Sequence, residues 1–71
     1  MKSELIVRTN LKDIRTKKKM SQQELADLVG VSRNTISSLE TGQYEPSTKL
    51  ALVLAIALDV KIEDLFYLDK K

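Results

Sequence analysis

The sequence of 71 residues predicts an all-α domain built from five short helices. Three observations support this fold class. Apolar residues recur at helical spacing along most of the chain, helix-capping residues precede several of these segments, and a glycine marks a tight turn between two of them. The length suits one domain, which we place over residues 1–71.

The first segment is expected to be a strand followed by a helix. Residues 5–7 are the strand formers Leu-Ile-Val, and Asn10 is a residue type that commonly caps a helix, here predicted over residues 11–18. The other end of the chain is similarly short and rich in strand formers. Residues 4–8 and 66–70 are therefore expected to pair as a small two-stranded antiparallel ribbon.

A second helix, predicted over residues 22–29, begins at a capping box. Ser21 and Glu24 have the spacing at which each side chain accepts a hydrogen bond from the backbone N–H of the other. Gly30 follows the helix and can adopt the positive φ that a tight turn requires. The apolar face of this helix is expected to consist of Leu25, Leu28 and Val29.

A third helix is predicted over residues 33–41, capped by Ser32 and ended by Gly42. Its inward positions are Ile36 and Leu39, with Val31 packing just before it. Two short helices joined by a tight turn, here within residues 22–41, are the arrangement that places one helix in a DNA groove. The outward side chains are polar and nearly free of carboxylates: Arg33, Asn34, Ser37 and Ser38.

A fourth helix, predicted over residues 48–58, is apolar on two opposite faces. The face with Leu50, Ala51, Leu54, Ala55 and Leu58 belongs to the domain core. The other face needs a cover, which the terminal ribbon, a fifth helix over residues 62–66 or another subunit could supply. We expect a homodimer contact here, the alternative being that the ends of the same chain cover the face. The residues assigned to this contact are Leu52, Val53, Ile56, Leu65, Phe66 and Leu68.

Composition excludes several classes of function. The chain has no cysteine and no histidine, so disulfides, Cys/His metal sites, imidazole bases and thiol nucleophiles are ruled out. Its carboxylates are scattered, which argues against an enzyme, and no catalytic residue, metal, cofactor or small-molecule ligand is expected. The longest apolar run has nine residues and the N-terminus lacks the apolar region of a signal peptide, so we expect a cytoplasmic protein without a membrane segment.

The net charge of +2 is unevenly distributed along the chain. Residues 1–33 carry eight Lys/Arg and four Asp/Glu, whereas residues 34–71 carry four and six, which gives +4 and −2 for the two halves. This asymmetry favours a basic half that faces DNA and a less basic half for self-association. The lysine run at residues 17–19 has a second interpretation as an ordinary solvated segment.

Residues 10–65 resemble the lambda repressor and Cro-type helix-turn-helix domains, the Xre family. The resemblance rests on L-x-x-I-R from Leu11 to Arg15, SQxELA from residue 21, GVS from residue 30, and ISxLExG ending at Gly42. It implies a lambda-repressor-like fold in which the third helix contacts DNA. It also implies that Arg15 and Glu40 form a partly buried structural ion pair.

Candidate DNA contacts follow from side-chain chemistry and from this resemblance. Arg33 can donate two hydrogen bonds to guanine, Asn34 can pair with adenine, and Ser37 and Ser38 can reach bases or phosphates. The alternative is an ordinary solvated helix face. The resemblance further implies phosphate contacts at the start of the second helix and in the loop after the third. The phosphate-binding candidates are Gln22, Gly42, Gln43 and Tyr44, with Thr35, Lys12 and Lys17 as weaker ones.

The expected function is that of a transcriptional regulator that binds double-stranded DNA sequence-specifically. We expect a repressor that acts as a homodimer on an operator with two-fold symmetry. A second hypothesis is a protein-interaction module with the same fold, such as an antitoxin or an antirepressor. A third, a small subunit of a nucleic-acid enzyme, has little support because the carboxylates form no paired, pocketed arrangement.

Overall fold

The computed structural model describes residues 4–70 and contains five helices and two strands. The predicted all-α fold with a terminal ribbon is confirmed, and α2 and α4 have the predicted bounds. The helices α1, α3 and α5 each end one residue earlier than expected. The elements in order are β1 (Leu5–Thr9), α1 (Leu11–Lys17), α2 (Gln22–Val29), α3 (Arg33–Glu40), α4 (Thr48–Leu58), α5 (Ile62–Leu65) and β2 (Phe66–Lys70).

The two strands form an antiparallel ribbon that joins the ends of the domain. Leu5 pairs with Lys70 and Thr9 pairs with Phe66, so the ribbon lies one residue further along β1 than predicted. On one of its faces the Arg8 guanidinium contacts the Asp69 carboxylate, with Nε and Oδ2 2.9 Å apart and both side chains half exposed. An ion pair this exposed contributes little stability, so the ribbon depends mainly on its backbone hydrogen bonds.

The start of α1 differs from the expectation. Asn10 occupies the capping position, but its side chain makes no capping hydrogen bond. Its Nδ2 instead donates to the carbonyl oxygen of Asp64 at 3.0 Å, while the Thr9 hydroxyl accepts from the N–H of Leu11 at 3.0 Å. The predicted Asn10 cap is therefore wrong, because the end of α5 lies alongside and offers Asn10 a carbonyl partner.

Both ends of α2 and the start of α3 have the hydrogen bonds that the sequence predicts. The Ser21 hydroxyl accepts from the N–H of Glu24, and the Glu24 carboxylate accepts from the N–H of Ser21, each at 2.9 Å. Gly30 adopts φ 79°, and its N–H donates to the carbonyl of Ala26 at 2.9 Å. The Ser32 hydroxyl accepts from the N–H of Thr35 at 3.2 Å. These local bonds fix the relative direction of the two helices.

The core lies between the five helices. The predicted inward face of α4 is confirmed, but Leu28 of α2 is exposed rather than buried. The buried residues of α2 are Leu25 and Ala26, and Leu28 lies roughly a third of a turn from the direction midway between them. The largest fully buried side chains are those of Leu11, Leu25, Ile36, Leu39, Leu54, Leu58 and Leu65.

Leu65 is part of this core, so its assignment to a dimer contact is wrong. It is fully buried because α5, a single turn, packs it against the other helices, and Ile62 of the same turn is partly buried against the same core. Phe66 is partly buried against the same core. The remaining assigned residues are accessible to different degrees: Leu52, Ile56 and Leu68 are exposed, and Val53 is half-buried.

Candidate nucleic-acid interface

The outward face of α3 presents polar side chains to solvent. Arg33 and Asn34, in its first turn, are exposed, and Ser37 and Ser38, one turn later, are half-buried. Ile36, on the opposite side, is fully buried in the core. Because buried apolar residues hold the helix from behind, its first turn projects away from the domain, as predicted.

A buried ion pair links α1 to the end of α3, as the resemblance implied. Arg15 Nε lies 2.6 Å from Glu40 Oε2, and Arg15 Nη2 donates to Glu40 Oε1 at 3.2 Å. The third donor, Nη1, bonds to the carbonyl oxygen of Met20 at 2.8 Å. Only 9% of the Arg15 side chain and 3% of the Glu40 side chain are exposed. The pair therefore fixes the C-terminal end of α3 against α1.

The environment of Glu40 favours its charged form. Burial acts against the charge, but hydrogen bonds from Arg15 and Gln22, together with the charges of Arg15 and Lys12, outweigh burial and lower the pKa of Glu40 below its ordinary value of 4.5. Glu40 is thus a carboxylate at neutral pH, and it can hold more than one donor at once.

Gln22 extends this ion pair to the first residue of α3. Its Nε2 donates to Glu40 Oε1 at 2.9 Å, and its Oε1 accepts a long hydrogen bond from Arg33 Nη1 at 3.4 Å. Sequence reasoning assigned Gln22 only to phosphate binding and missed this bridge. The available signal was that Gln22 and Arg33 are the first residues of two consecutive helices joined by a tight turn.

A shallow depression of about 340 Å³ lies between α3 and the loop that follows it. Its floor and walls combine two base-reading candidates with three of the phosphate-binding candidates. Gly42, beside the depression, adopts φ 77° and so turns the loop back along the helix. Ser37, Lys12 and Lys17 do not line this depression. The residues that line it are Asn34, Thr35, Ser38, Gln43 and Tyr44.

The remaining phosphate candidates occupy neighbouring positions. Thr35 is partly engaged within the protein, because its hydroxyl lies 3.0 Å from that of Ser32. Lys12 and Lys17 are both exposed on α1, and Lys12 is close enough to Glu40 to influence its pKa. Tyr44 is exposed at the rim of the depression rather than anchored inside the domain.

Residues 4–70 lack two features, a membrane-spanning helix and a cluster of metal-ligating side chains. Across that range, no helix combines the length and the apolar character needed to cross a membrane. The same residues bring together no group of three or more His, Cys, Asp or Glu side chains suited to a metal ion.

Comparison with known proteins identifies the architecture. A family model described as helix-turn-helix matches residues 11–65. An uncharacterized helix-turn-helix-type transcriptional regulator of Archaeoglobus fulgidus is 49% identical over 65 residues, which cover 92% of each chain. The restriction-modification controller protein C.AhdI from Aeromonas hydrophila is 39% identical, with a TM-score of 0.72 over 76% of this chain and 82% of its own.

A second solved structure shares the fold over a longer range. The transcriptional regulator VanUg aligns with 99% of this chain and 93% of its own, at a TM-score of 0.82 and 21% identity. At that identity the likeness concerns the fold alone. It extends beyond residues 11–65 and so includes the segments that form the terminal ribbon.

Proposed function

The chain belongs to the lambda-repressor-like helix-turn-helix family of DNA-binding transcriptional regulators, and from this premise we propose that it is a repressor that binds a two-fold symmetric operator as a homodimer. In this proposal α3 lies in the major groove and α2 lies across the DNA backbone. Repression follows from occupation of promoter DNA.

The base contacts come from the outward face of α3. Arg33 has five N–H donors, and its long bond to Gln22 occupies only one of them, which leaves an edge of the guanidinium free for guanine O6 and N7. Asn34 pairs with adenine, and Ser37 and Ser38 contact bases or phosphates one turn later. The single observation that carries the proposal is this first turn of α3, exposed, polar and held from behind by buried residues.

Phosphate contacts position α3 in the groove. The N–H groups of Gly42 and Gln43 donate to the carbonyls of Leu39 and Ser38, so in this loop the phosphate is bound by the N–H of Tyr44 and the side chains of Gln43 and Tyr44. Gln22 and Thr35 approach another phosphate from the starts of α2 and α3. Lys12 and Lys17 neutralise phosphates from the exposed side of α1. Because the depression between α3 and its following loop is lined by both base-reading and phosphate-binding candidates, one bound DNA segment can satisfy both groups.

Selection of bound fragments from random double-stranded DNA tests the proposal directly. A homodimer with one α3 per subunit should select two inverted half-sites, about 34 Å apart between their centres. A selected pool with no consensus would contradict sequence-specific binding. A consensus with a single half-site would retain the DNA-binding role and contradict the symmetric operator.

The dependence of affinity on salt separates this function from a protein-interaction module. If Lys12 and Lys17 of both subunits each neutralise one phosphate, the logarithm of the association constant should fall with log salt at a slope of about −3.6. Lys12→Ala should reduce that slope by about 1.8. Lys70→Ala, which removes an exposed lysine from the ribbon, is the matched control and should leave the slope unchanged. Affinity for DNA that is weak and independent of salt would favour a protein partner instead.

A further inference from the structure

The outer face of α4 is an exposed apolar surface that the proposed DNA contacts do not use. Ile56 is 79% exposed, Leu52 is also exposed, and Val53 is half-buried between them and the turn that joins α2 to α3. A helix that is apolar on both sides is normally covered on both sides. Within residues 4–70 the terminal ribbon and the other elements leave this face open, so a partner molecule can cover it.

The charges at the two ends of this face have opposite signs. Lys49 lies in the first turn of α4 and Asp59 follows its last residue, and both are exposed. Asp59 adopts φ 55°, which ends the helix at this point. A face with a base at one end, an acid at the other and apolar residues between them is complementary to its own copy when the two helices run antiparallel.

One register satisfies both the charges and the apolar residues. Lys49 and Asp59 are each five residues from Leu54, and Leu52 and Ile56 are each two residues from it. A two-fold axis level with Leu54, on the side of α4 opposite to this buried residue, therefore places Lys49 opposite Asp59 of the second copy and Leu52 opposite Ile56 of the second copy. In an isologous dimer the same patch of each copy contacts that of the other, so the patch has to be complementary to itself.

The surface beside this face can accept a side chain. A groove of about 310 Å³ lies between α4 and the turn after α2. None of its lining residues belongs to the polar face of α3. A second copy seated here leaves the candidate DNA contacts free. The apolar residues that line it are Val29, Val31, Leu50 and Val53.

We propose that the homodimer forms through an antiparallel pair of α4 helices, with Ile56 of each copy packed against Leu52 and the groove of the other, and Lys49 facing Asp59 at both ends. The inference rests on the homodimer of the proposed function and specifies its surface. An eleven-residue helix covers less than the roughly 800 Å² per partner of a standard interface, so the free dimer is weak and two adjacent half-sites strengthen it.

Sedimentation equilibrium at protein concentrations up to about 1 mM measures this association. The wild-type chain should approach twice its mass of 8.0 kDa. Leu68 was assigned to the dimer contact from the sequence, but it lies on β2 and the proposed surface on α4 does not include it. Ile56→Glu should therefore stay monomeric, whereas Leu68→Glu should dimerise like the wild type. Leu68 is the matched control because it is also an exposed large apolar residue, 56% exposed, so neither change removes a buried side chain. Circular dichroism confirms that both variants remain folded.

Charge reversal tests the register itself. Lys49→Glu and Asp59→Lys should each weaken dimerisation about tenfold, because each turns two attractive pairs into two repulsive ones. The double variant restores both attractions and should return to within about threefold of the wild type. A double variant as weak as the single ones overturns the antiparallel register.

Three other results overturn the inference: a wild-type chain that stays monomeric at about 1 mM, an Ile56→Glu variant that dimerises normally, or a Leu68→Glu variant that alone becomes monomeric. The last would identify the ribbon as the contact. Titration of DNA with the same proteins separates the two proposals. If the wild-type chain dimerises through α4 but binds no DNA, the proposed function fails and the inference stands.

Discussion

The buried pair of Arg15 and Glu40 provides the most direct test of how this small domain is held together. The two side chains are 9% and 3% exposed and are joined by two hydrogen bonds, so removal of either leaves the other charge buried without its partner. That loss costs about 3 to 5 kcal/mol. A domain of this length has a total stability of about 4 to 11 kcal/mol, so either single change removes a large part of it.

We expect Arg15→Met and Glu40→Leu each to lower the free energy of unfolding by about 3 to 5 kcal/mol. The double variant replaces the pair with apolar side chains of similar volume and should be as stable as the wild type or more stable. Urea unfolding followed by circular dichroism, at one fixed protein concentration, gives all four values. Single variants that lose less than about 1 kcal/mol, or a double variant whose loss is the sum of the two, would refute the argument that the pair is desolvated.

Three more predictions concern a base contact, a backbone conformation and a titration. Arg33→Ala should cost about 1 to 3 kcal/mol of DNA affinity and relax selectivity at one base pair, and unchanged selectivity in a base-substitution series would contradict it. Lys19→Gly should raise the unfolding free energy by about 0.5 to 1 kcal/mol because Lys19 has φ 59°, whereas Lys18→Gly, at φ −88°, should lower it. Because the pKa of Glu40 is lowered on folding, stability should decline as pH falls below about 5 and through the lowered pKa, and Glu40→Gln should show a smaller decline over the same range in urea titrations.

Local sequence signals predicted the secondary structure well. The capping box and the glycine at φ 79° act within a few residues, so Ser21, Glu24 and Gly30 could be interpreted without knowledge of the rest of the fold. The role of Asn10 could not be interpreted in this way, because its hydrogen-bond partner is the carbonyl of Asp64, 54 residues away. The choice between a capping bond and a distant carbonyl depends on where α5 packs, and the sequence near Asn10 contains no information on that.

The sequence predicted which residues form the candidate site better than it predicted the hydrogen bonds between them. The polar face of α3 follows from helical periodicity around the buried Ile36 and Leu39. The bridge from Glu40 through Gln22 to Arg33 joins α2 to both ends of α3 and depends on how the two helices cross. Likewise, the sequence shows that Leu65 is apolar, but it does not show which side of the single turn α5 meets the core.

The terminal ribbon has a consequence for the order in which the molecule assembles. Arg8 and Asp69 are 61 residues apart, and closing a flexible loop of that length costs about 3.6 kcal/mol of chain entropy. Once the five helices have packed, the two ends already lie side by side and most of that cost has been met. The strands therefore pair last during folding and separate first in the native state, so their amide protons should exchange with solvent through local opening while those of the helices exchange only on global unfolding.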